Sequence, residues 1–347
     1  MSCSGCNTHS KIVYMKIAIV RLSALGDIVQ SMVMLQFIKK NYPYSKVDWI
    51  VEERFKGILE NNPHINKIHT INLNKAKKQK SVNILFSELN KVRGFGFYDL
   101  VIDAQGLIKS AIVAKLLKGR KIVGFDKASI RESLASYLYD QKISIDYSEN
   151  TILRSIALIS ESLNINVTNN EIINKTPFLF SKSKFIISME PYVIFIIGSN
   201  WESRNYPKEK FVEVAKALNI DCLVLWGNKQ EKEKAEWMRS ESKKIYVLPR
   251  LSLEDLKLVI SKASLLIGND TGPTHMAWGL NTPSITLFGP TPITRLYITP
   301  NHRALKSSSK VDHLKLNKSD FSISEITIKD IIQISEELLN SPSKTSL

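Results

Sequence analysis

Between Ser264 and Thr291 the chain reads SLLIGNDTGPTHMAWGLNTPSITLFGPT, and the short run from Asp270 to His275 holds a carboxylate, a hydroxyl, a glycine and an imidazole. The apolar run Leu265 to Ile267 reads as a buried strand, which Gly268, Asn269 and Asp270 break into a turn that opens a helix. Ser284 to Phe288 reads as the next buried strand, and Gly289 to Thr291 as the loop after it. Free backbone N–H groups at a helix start suit an anion such as a diphosphate, and Gly272 lets a ligand approach the backbone. The same residues have a plain structural reading, with Asp270 and Thr271 as helix caps and His275 as a satisfied core histidine.

A second carboxylate stands in a similar setting. Lys16 to Arg21 is a short apolar strand, Leu22-Ser23-Ala24-Leu25-Gly26-Asp27 a tight loop, and Ile28 to about Lys40 an amphipathic helix stopped before Pro43. Asp27 falls at the capping position of that helix, which by itself requires nothing beyond an N-cap. Asp99 to Asp103 is another strand, and Ala104-Gln105-Gly106-Leu107 turns it into a helix bearing Lys109 and Ser110. Lys75, Lys77, Lys78 and Lys80 crowd the polar segment Leu73 to Lys80, which reads as a solvated loop or as a lid for anionic groups.

These residues need a scaffold, and the pattern supplies one. Strand, turn, helix, strand is a βαβ unit, whose first turn lies at the carboxyl end of a parallel sheet, where open α/β folds bind ligands. Such units recur through residue 125, and a second series begins at Tyr192 to Ile197, followed by the loop Gly198 to Pro207 and the strand Cys222 to Trp226. With 347 residues the chain is long for one core. The fold class expected is α/β, with two doubly wound domains over 15–180 and 181–340 and a linker near 175–190. Residues 1–14 read as an extension, 341–347 as a tail, and Ile328 to Leu339 as a terminal amphipathic helix.

Composition narrows the partners. Lys and Arg number 48 against 33 Asp and Glu, a formal charge of +15 that favours anionic ligands or surfaces. No apolar run approaches the roughly 18 residues of a membrane span, and residues 1–14 lack an apolar signal core. Cys3 and Cys6 form a lone C-x-x-C without a second pair, which argues against zinc, and so few cysteines fit a reducing cytoplasm. There is no D-x-D, and no His or carboxylate cluster has metal-ligand spacing. A nucleic-acid-binding module is a rival for a basic chain, but no aromatic ribonucleoprotein motif, zinc finger or helix-turn-helix signature is present. An oxidoreductase would carry G-x-G-x-x-G after the first strand, which Leu22 to Asp27 lacks.

D-T-G-x-x-H, a helix, then P-x-I-T-L-F-G-P-T resembles the nucleotide-sugar site of the lipopolysaccharide heptosyltransferases. The resemblance runs in order from about Met15 to Thr291. R-L-S-A-L-G-D is similar to the family's K-x-S-x-x-G-D opening, whose aspartate is the proposed catalytic base, which gives that role to Asp27. D-A-Q-G-L-I-K-S-A looks most like the type I enzymes and puts Gln105 and Lys109 toward the acceptor. Arg131, in I-R-E-S-L-A-S, joins them, with Lys75, Lys77 and Lys78 as the candidate lid. Type II enzymes share the donor site, so only this N-terminal half separates the two.

On the donor side the resemblance implies Ser199, Asn200, Glu231, Leu251, Asp270, Thr271, Gly272 and His275. Arg204 stands where the family carries lysine, and it can neutralise a diphosphate through a fork instead of a point charge. The implied architecture is the glycosyltransferase B fold. The implied reaction is inverting transfer of heptose from ADP-heptose to a Kdo sugar of Kdo-lipid A, with no metal or other cofactor. The implied setting is a cytoplasmic monomer in peripheral contact with the anionic inner membrane face, with no nucleic-acid partner.

Overall fold

A computed structural model describes residues 14–341 of the chain. The Cys3–Cys6 pair lies outside the described residues. The first sheet is built from β1 (Lys16–Val20), β2 (Lys46–Glu52), β3 (Lys67–Ile71), β4 (Leu100–Asp103), β5 (Ile122–Phe125) and β6 (Gln141–Ile143). The second is built from β7 (Tyr192–Ile196), β8 (Asp221–Leu225), β9 (Ile245–Val247), β10 (Leu265–Asn269), β11 (Ser284–Phe288) and β12 (His302–Lys306). Strand order is β3-β2-β1-β4-β5-β6 in one and β9-β8-β7-β10-β11-β12 in the other, and every neighbouring pair is parallel. The central strands are apolar throughout because helices cover both faces of a parallel sheet. Ile17 to Val20 and Tyr192 to Ile196 are accordingly buried. In a doubly wound sheet the order reverses beside the first strand, opening a crevice at the carboxyl ends there. These crevices fall between β1 and β4, and between β7 and β10.

The two sheets meet through the helix Leu25–Ser31, which follows β1, and the helix Gly272–Leu280, which follows β10. Glycine sets how closely they approach. A Cβ on Gly26 would lie 2.8 Å from His275 Cδ2, and one on Gly272 would lie 2.8 Å from the Leu25 side chain. The core is continuous across this contact, since Met276, Ala277 and Trp278 belong to the same buried cluster as Ile17 and Trp49.

Two expectations change here. The helix expected from Ile28 to Lys40 is two helices, Leu25–Ser31 and Met34–Asn41. It starts early because the Asp27 carboxylate accepts the Ala24 N–H at 3.2 Å, so Asp27 sits in the first turn instead of at the cap. The lysine-rich segment is a helix, Leu73–Lys78, not a loop. Asn72 caps it by accepting the Lys75 N–H at 3.0 Å, and Ala76 is buried beneath it. Between Ile173 and Tyr192 the chain has no helix or strand, and the terminal helix Ile328–Asn340 buries Ile331 and Leu338 against the second sheet's side of the molecule.

Candidate active site

Asp27 is carried into the cleft by the loop after β1, and that loop is braced by its neighbour in the sheet. Gln105, in the loop after β4, accepts the Leu22 N–H at 2.8 Å and the Ser23 N–H at 3.3 Å. Gln105 and Gly106 are themselves set by buried Asp103, which accepts both their N–H groups along with the Ser110 and Tyr139 hydroxyls. Burial still outweighs these bonds and raises the Asp103 pKa. Asp27 behaves in the opposite way. Burial disfavours its charge, but Arg21 at 3.4 Å, Arg295 at 3.6 Å and the Ala24 N–H outweigh that cost and hold the carboxyl below its ordinary range. Arg21 comes from the end of β1, whereas Arg295 comes from the loop after β11 in the other domain.

Across the cleft, Asp270 is fully enclosed. It takes His275 Nε2 at 2.8 Å, Arg204 Nη2 at 2.9 Å and Arg295 Nε at 3.1 Å. Burial opposes its ionisation, but Arg295, His275 and Arg204 together keep it far below the usual carboxylate range. Arg204 also donates to the Asp270 carbonyl, and its buried Nε has no partner among the described residues. Gln30 ties the domains together, with its Nε2 donating to the Arg295 carbonyl and standing 3.2 Å from His275 Nδ1. Thr271 is the cap residue of the following helix, and Gly272 is its first residue, so the free N–H groups there face the β7–β10 crevice.

The remaining donor candidates lie in other loops of the second domain, and none of them lines the cavity described below. Ser199 is held in a local turn, donating to the Trp201 carbonyl at 2.5 Å, and Asn200 is exposed. Glu231 lies beside Gly198, where an added Cβ would overlap its carboxylate, and it accepts the Gly227 N–H at 2.6 Å. It therefore closes the turn after β8 as a helix-start acid in addition to facing the β7 loop. Leu251 is half-buried beyond β9.

A cavity of about 690 Å³ opens between the domains. Asp27, Gln105 and Arg131 line it from the first domain, and Trp201, Arg295 and the 313–318 segment line it from the second. Lys109 stands at its edge, with Nζ 3.3 Å from the Ser23 hydroxyl. Lys75, Lys77 and Lys78 do not line it, because their helix lies at the ends of β2 and β3, away from the β1–β4 crevice. Sequence reasoning passed over Arg21, Gln30, Arg154 and Arg295. Arg154 donates to the Ser129 and Asp146 carbonyls at 2.6 and 2.7 Å, and its guanidinium lies 4.5 Å from the Phe125 ring centre. The available signal for Arg295 was a lone arginine four residues beyond Gly289-Pro290-Thr291. Among the described residues no group of three or more His, Cys, Asp or Glu side chains is placed to hold a metal ion.

Two doubly wound domains with their crevices facing one cleft, a carboxylate on one side and an arginine-rich helix start on the other, define a glycosyltransferase of the B fold. The profile of glycosyltransferase family 9 (heptosyltransferase) matches residues 89–320. The lipopolysaccharide heptosyltransferase 1 of Campylobacter coli is 39% identical over 93% of this chain and 99% of its own. That of Escherichia coli K12 is 29% identical over 80% of this chain and 88% of its own. The solved E. coli heptosyltransferase WaaC with ADP-2-deoxy-2-fluoro heptose superposes with a TM-score of 0.76 at 25% identity, covering 93% of this chain and 99% of that one. The chain belongs to glycosyltransferase family 9, the heptosyltransferases, and is an enzyme of lipopolysaccharide synthesis, as the D-T-G-x-x-H and D-A-Q-G-L-I-K-S-A strings imply.

Proposed function

We propose that the enzyme moves heptose from ADP-heptose to a Kdo hydroxyl of Kdo-lipid A, inverting the anomeric carbon, and that it does so without a metal. The observation that carries this reading is the meeting of Asp27 with the Asp270–His275–Arg204–Arg295 cluster across one cleft. The donor fits the second domain. The β7–β10 crevice offers the Thr271 and Gly272 N–H groups and the positive end of their helix to a diphosphate, with Arg204 beside them. The acceptor fits the cavity lined by Gln105 and Arg131, which reaches Asp27.

In the transfer, the acceptor oxygen bonds to the anomeric carbon as the bond from that carbon to the β-phosphate oxygen breaks. The bonding electrons leave with ADP. The acceptor proton goes to Asp27, which needs no raised pKa because the hydroxyl becomes acidic only as its oxygen is alkylated. Arg204, Arg295 and the helix N–H groups meet the charge that develops on the departing diphosphate. Since the acceptor is lipid-anchored, the enzyme would work in the cytoplasm against the anionic membrane face. Among the described residues no helix is long and apolar enough to cross a membrane. Incubation with ADP-heptose and Kdo-lipid A, following ADP release with and without chelator, tests the proposal. Activity only on an already heptosylated acceptor overturns the acceptor assignment, and loss of activity in chelator overturns the metal-free one.

A further inference from the structure

One surface of the first domain, outside the cleft, combines exposed apolar side chains with lysines. Four helical segments lie side by side there: Leu73–Lys78, Val82–Val92, Ile108–Leu116 and Ser133–Leu138. The second of these, VNILFSELNKV, buries only Val92. A surface helix of this composition normally turns its apolar stripe to the core. Here Val82, Leu85 and Phe86, spaced i, i+3, i+4 on one face, are 63%, 39% and 69% exposed. The next helix continues the surface with Ile108 and Ile112 on the same stripe as Lys115, and the last adds Leu134 and Tyr137, 65% and 72% exposed.

Basic residues outnumber acidic ones on this face. Lys75, Lys77, Lys78 and Lys80 stand at one end, Lys115 in the middle, and Arg131 and Lys142 at the other, with Lys142 Nζ 5.8 Å from the Tyr137 ring centre. The acidic neighbours are Glu88 and Glu132, which accept the backbone N–H of Asn72 and of Ile108. The cavity mouth adjoins the patch, since Leu107, Ile130 and Arg131 line the cavity and lead directly into Ile108 and Leu134.

We infer that this face is where the enzyme docks on a bilayer bearing anionic lipid, with the apolar side chains entering the headgroup region and the lysines pairing with lipid phosphates. Apolar residues interleaved with long basic ones suit an interface that is greasy at one depth and charged just above it. A protein partner is disfavoured by the same residues, because lysine is depleted from the cores of protein interfaces. Docking here sets the cavity mouth against the lipid surface. The inference thus deepens the proposed function, by naming how a lipid-anchored acceptor reaches Asp27, and it rests on that reading only for the acceptor's identity.

The test uses the purified full chain and vesicles of phosphatidylcholine with or without phosphatidylglycerol. Co-sedimentation with the anionic vesicles is expected, weakening as salt is added. Leu85→Ser with Phe86→Ser should lower partitioning about tenfold or more on both kinds of vesicle. Lys115→Glu with Lys142→Glu should lower it on anionic vesicles only. All four positions are exposed, so the variants should unfold at the same temperature as the parent and release ADP equally well with a de-acylated, water-soluble acceptor. Absence of vesicle binding, or equal binding by parent and variants, overturns the inference. So does an apolar variant that loses a self-associated species in solution while its vesicle binding is unchanged, since the face would then be a contact between copies. If no acceptor yields ADP release while vesicle binding behaves as expected, the proposed acceptor fails and the docking face stands.

Discussion

Arg295 reaches two carboxylates at once, Asp27 at 3.6 Å and Asp270 at 3.1 Å, and its removal tests the proposal that Asp27 is the base. Opposite charges about 4 Å apart interact by roughly 4 kcal/mol at an effective dielectric of 20 and about 1 kcal/mol in water. Arg295 and Asp27 side chains are 30% and 23% exposed, so the effective value lies between those limits. Arg21 also remains at 3.4 Å from Asp27 and continues to favour the anion. Loss of Arg295 therefore removes an attraction of between about 1 and 4 kcal/mol and is expected to raise the Asp27 pKa, with Arg21 limiting the rise.

The sign follows from the direction of the shift. Asp27 is held below its ordinary range, so the ionised form that the proposed base requires persists at low pH and is lost only as pH falls through that depressed value. Arg295→Met lets the proton return at higher pH. The acid limb of kcat/KM for ADP release should move to higher pH, and Arg295→Lys should move it less. His275 also faces Asp27, so the limb is assigned to Asp27 only if Asp27→Asn abolishes it. Superimposable acid limbs in the parent and Arg295→Met would refute this reasoning, even if the plateau rate fell.

Four further outcomes follow. Asp27→Asn keeps an acceptor for the Ala24 N–H, so thermal stability should stay near that of the parent while turnover falls roughly 10²- to 10⁴-fold; a rate close to the parent's places the base elsewhere. Arg204→Ala should weaken ADP binding, read by calorimetry, by roughly 1.5 to 3 kcal/mol for a lost charge-assisted contact, and unchanged affinity removes Arg204 from the donor site. Gly272→Ala puts a methyl 2.8 Å from Leu25, which should cost about 1–3 kcal/mol in denaturant unfolding; adding Leu25→Ala should recover part of it, and simple additivity counts against the helix contact. Lys175 is buried against Trp278, which lowers its pKa to about 7. The unfolded chain therefore binds the extra proton between about pH 7 and 10.4, and stability should rise with pH in that window by up to roughly 1.4 kcal/mol per unit. Lys175→Met should flatten that slope.

The chain's own pattern was enough for the architecture. The central strands, such as Lys16–Val20 and Tyr192–Ile196, are apolar runs bounded by polar or glycine turns, and burial on both faces is a property of such a run wherever it folds, whereas outer strands such as Lys67–Ile71 and His302–Lys306 are polar and half-exposed and were not legible. The loops bearing Asp27 and Asp270 were legible for the same reason, since a strand followed by a turn and a helix start fixes which end of a sheet they occupy. Local signals also misled. Lysines crowded over Leu73 to Lys80 read as a loop, but Asn72 capping and the burial of Ala76 make a helix whose lysines do not line the cavity. Asp27 read as a cap, but its carboxylate reaches back to Ala24 and draws the helix start ahead of it. What tertiary structure alone decided is the electrostatics of the site. Gln30 meets His275 across 245 residues of sequence, and Arg295 joins Asp27 to Asp270 between domains. An arginine can turn its guanidinium many ways from one backbone position, so residue spacing says nothing of which carboxylate it will meet. That choice is made when Gly26 and Gly272 let the two helices close to contact and bring both carboxylates within reach of one side chain.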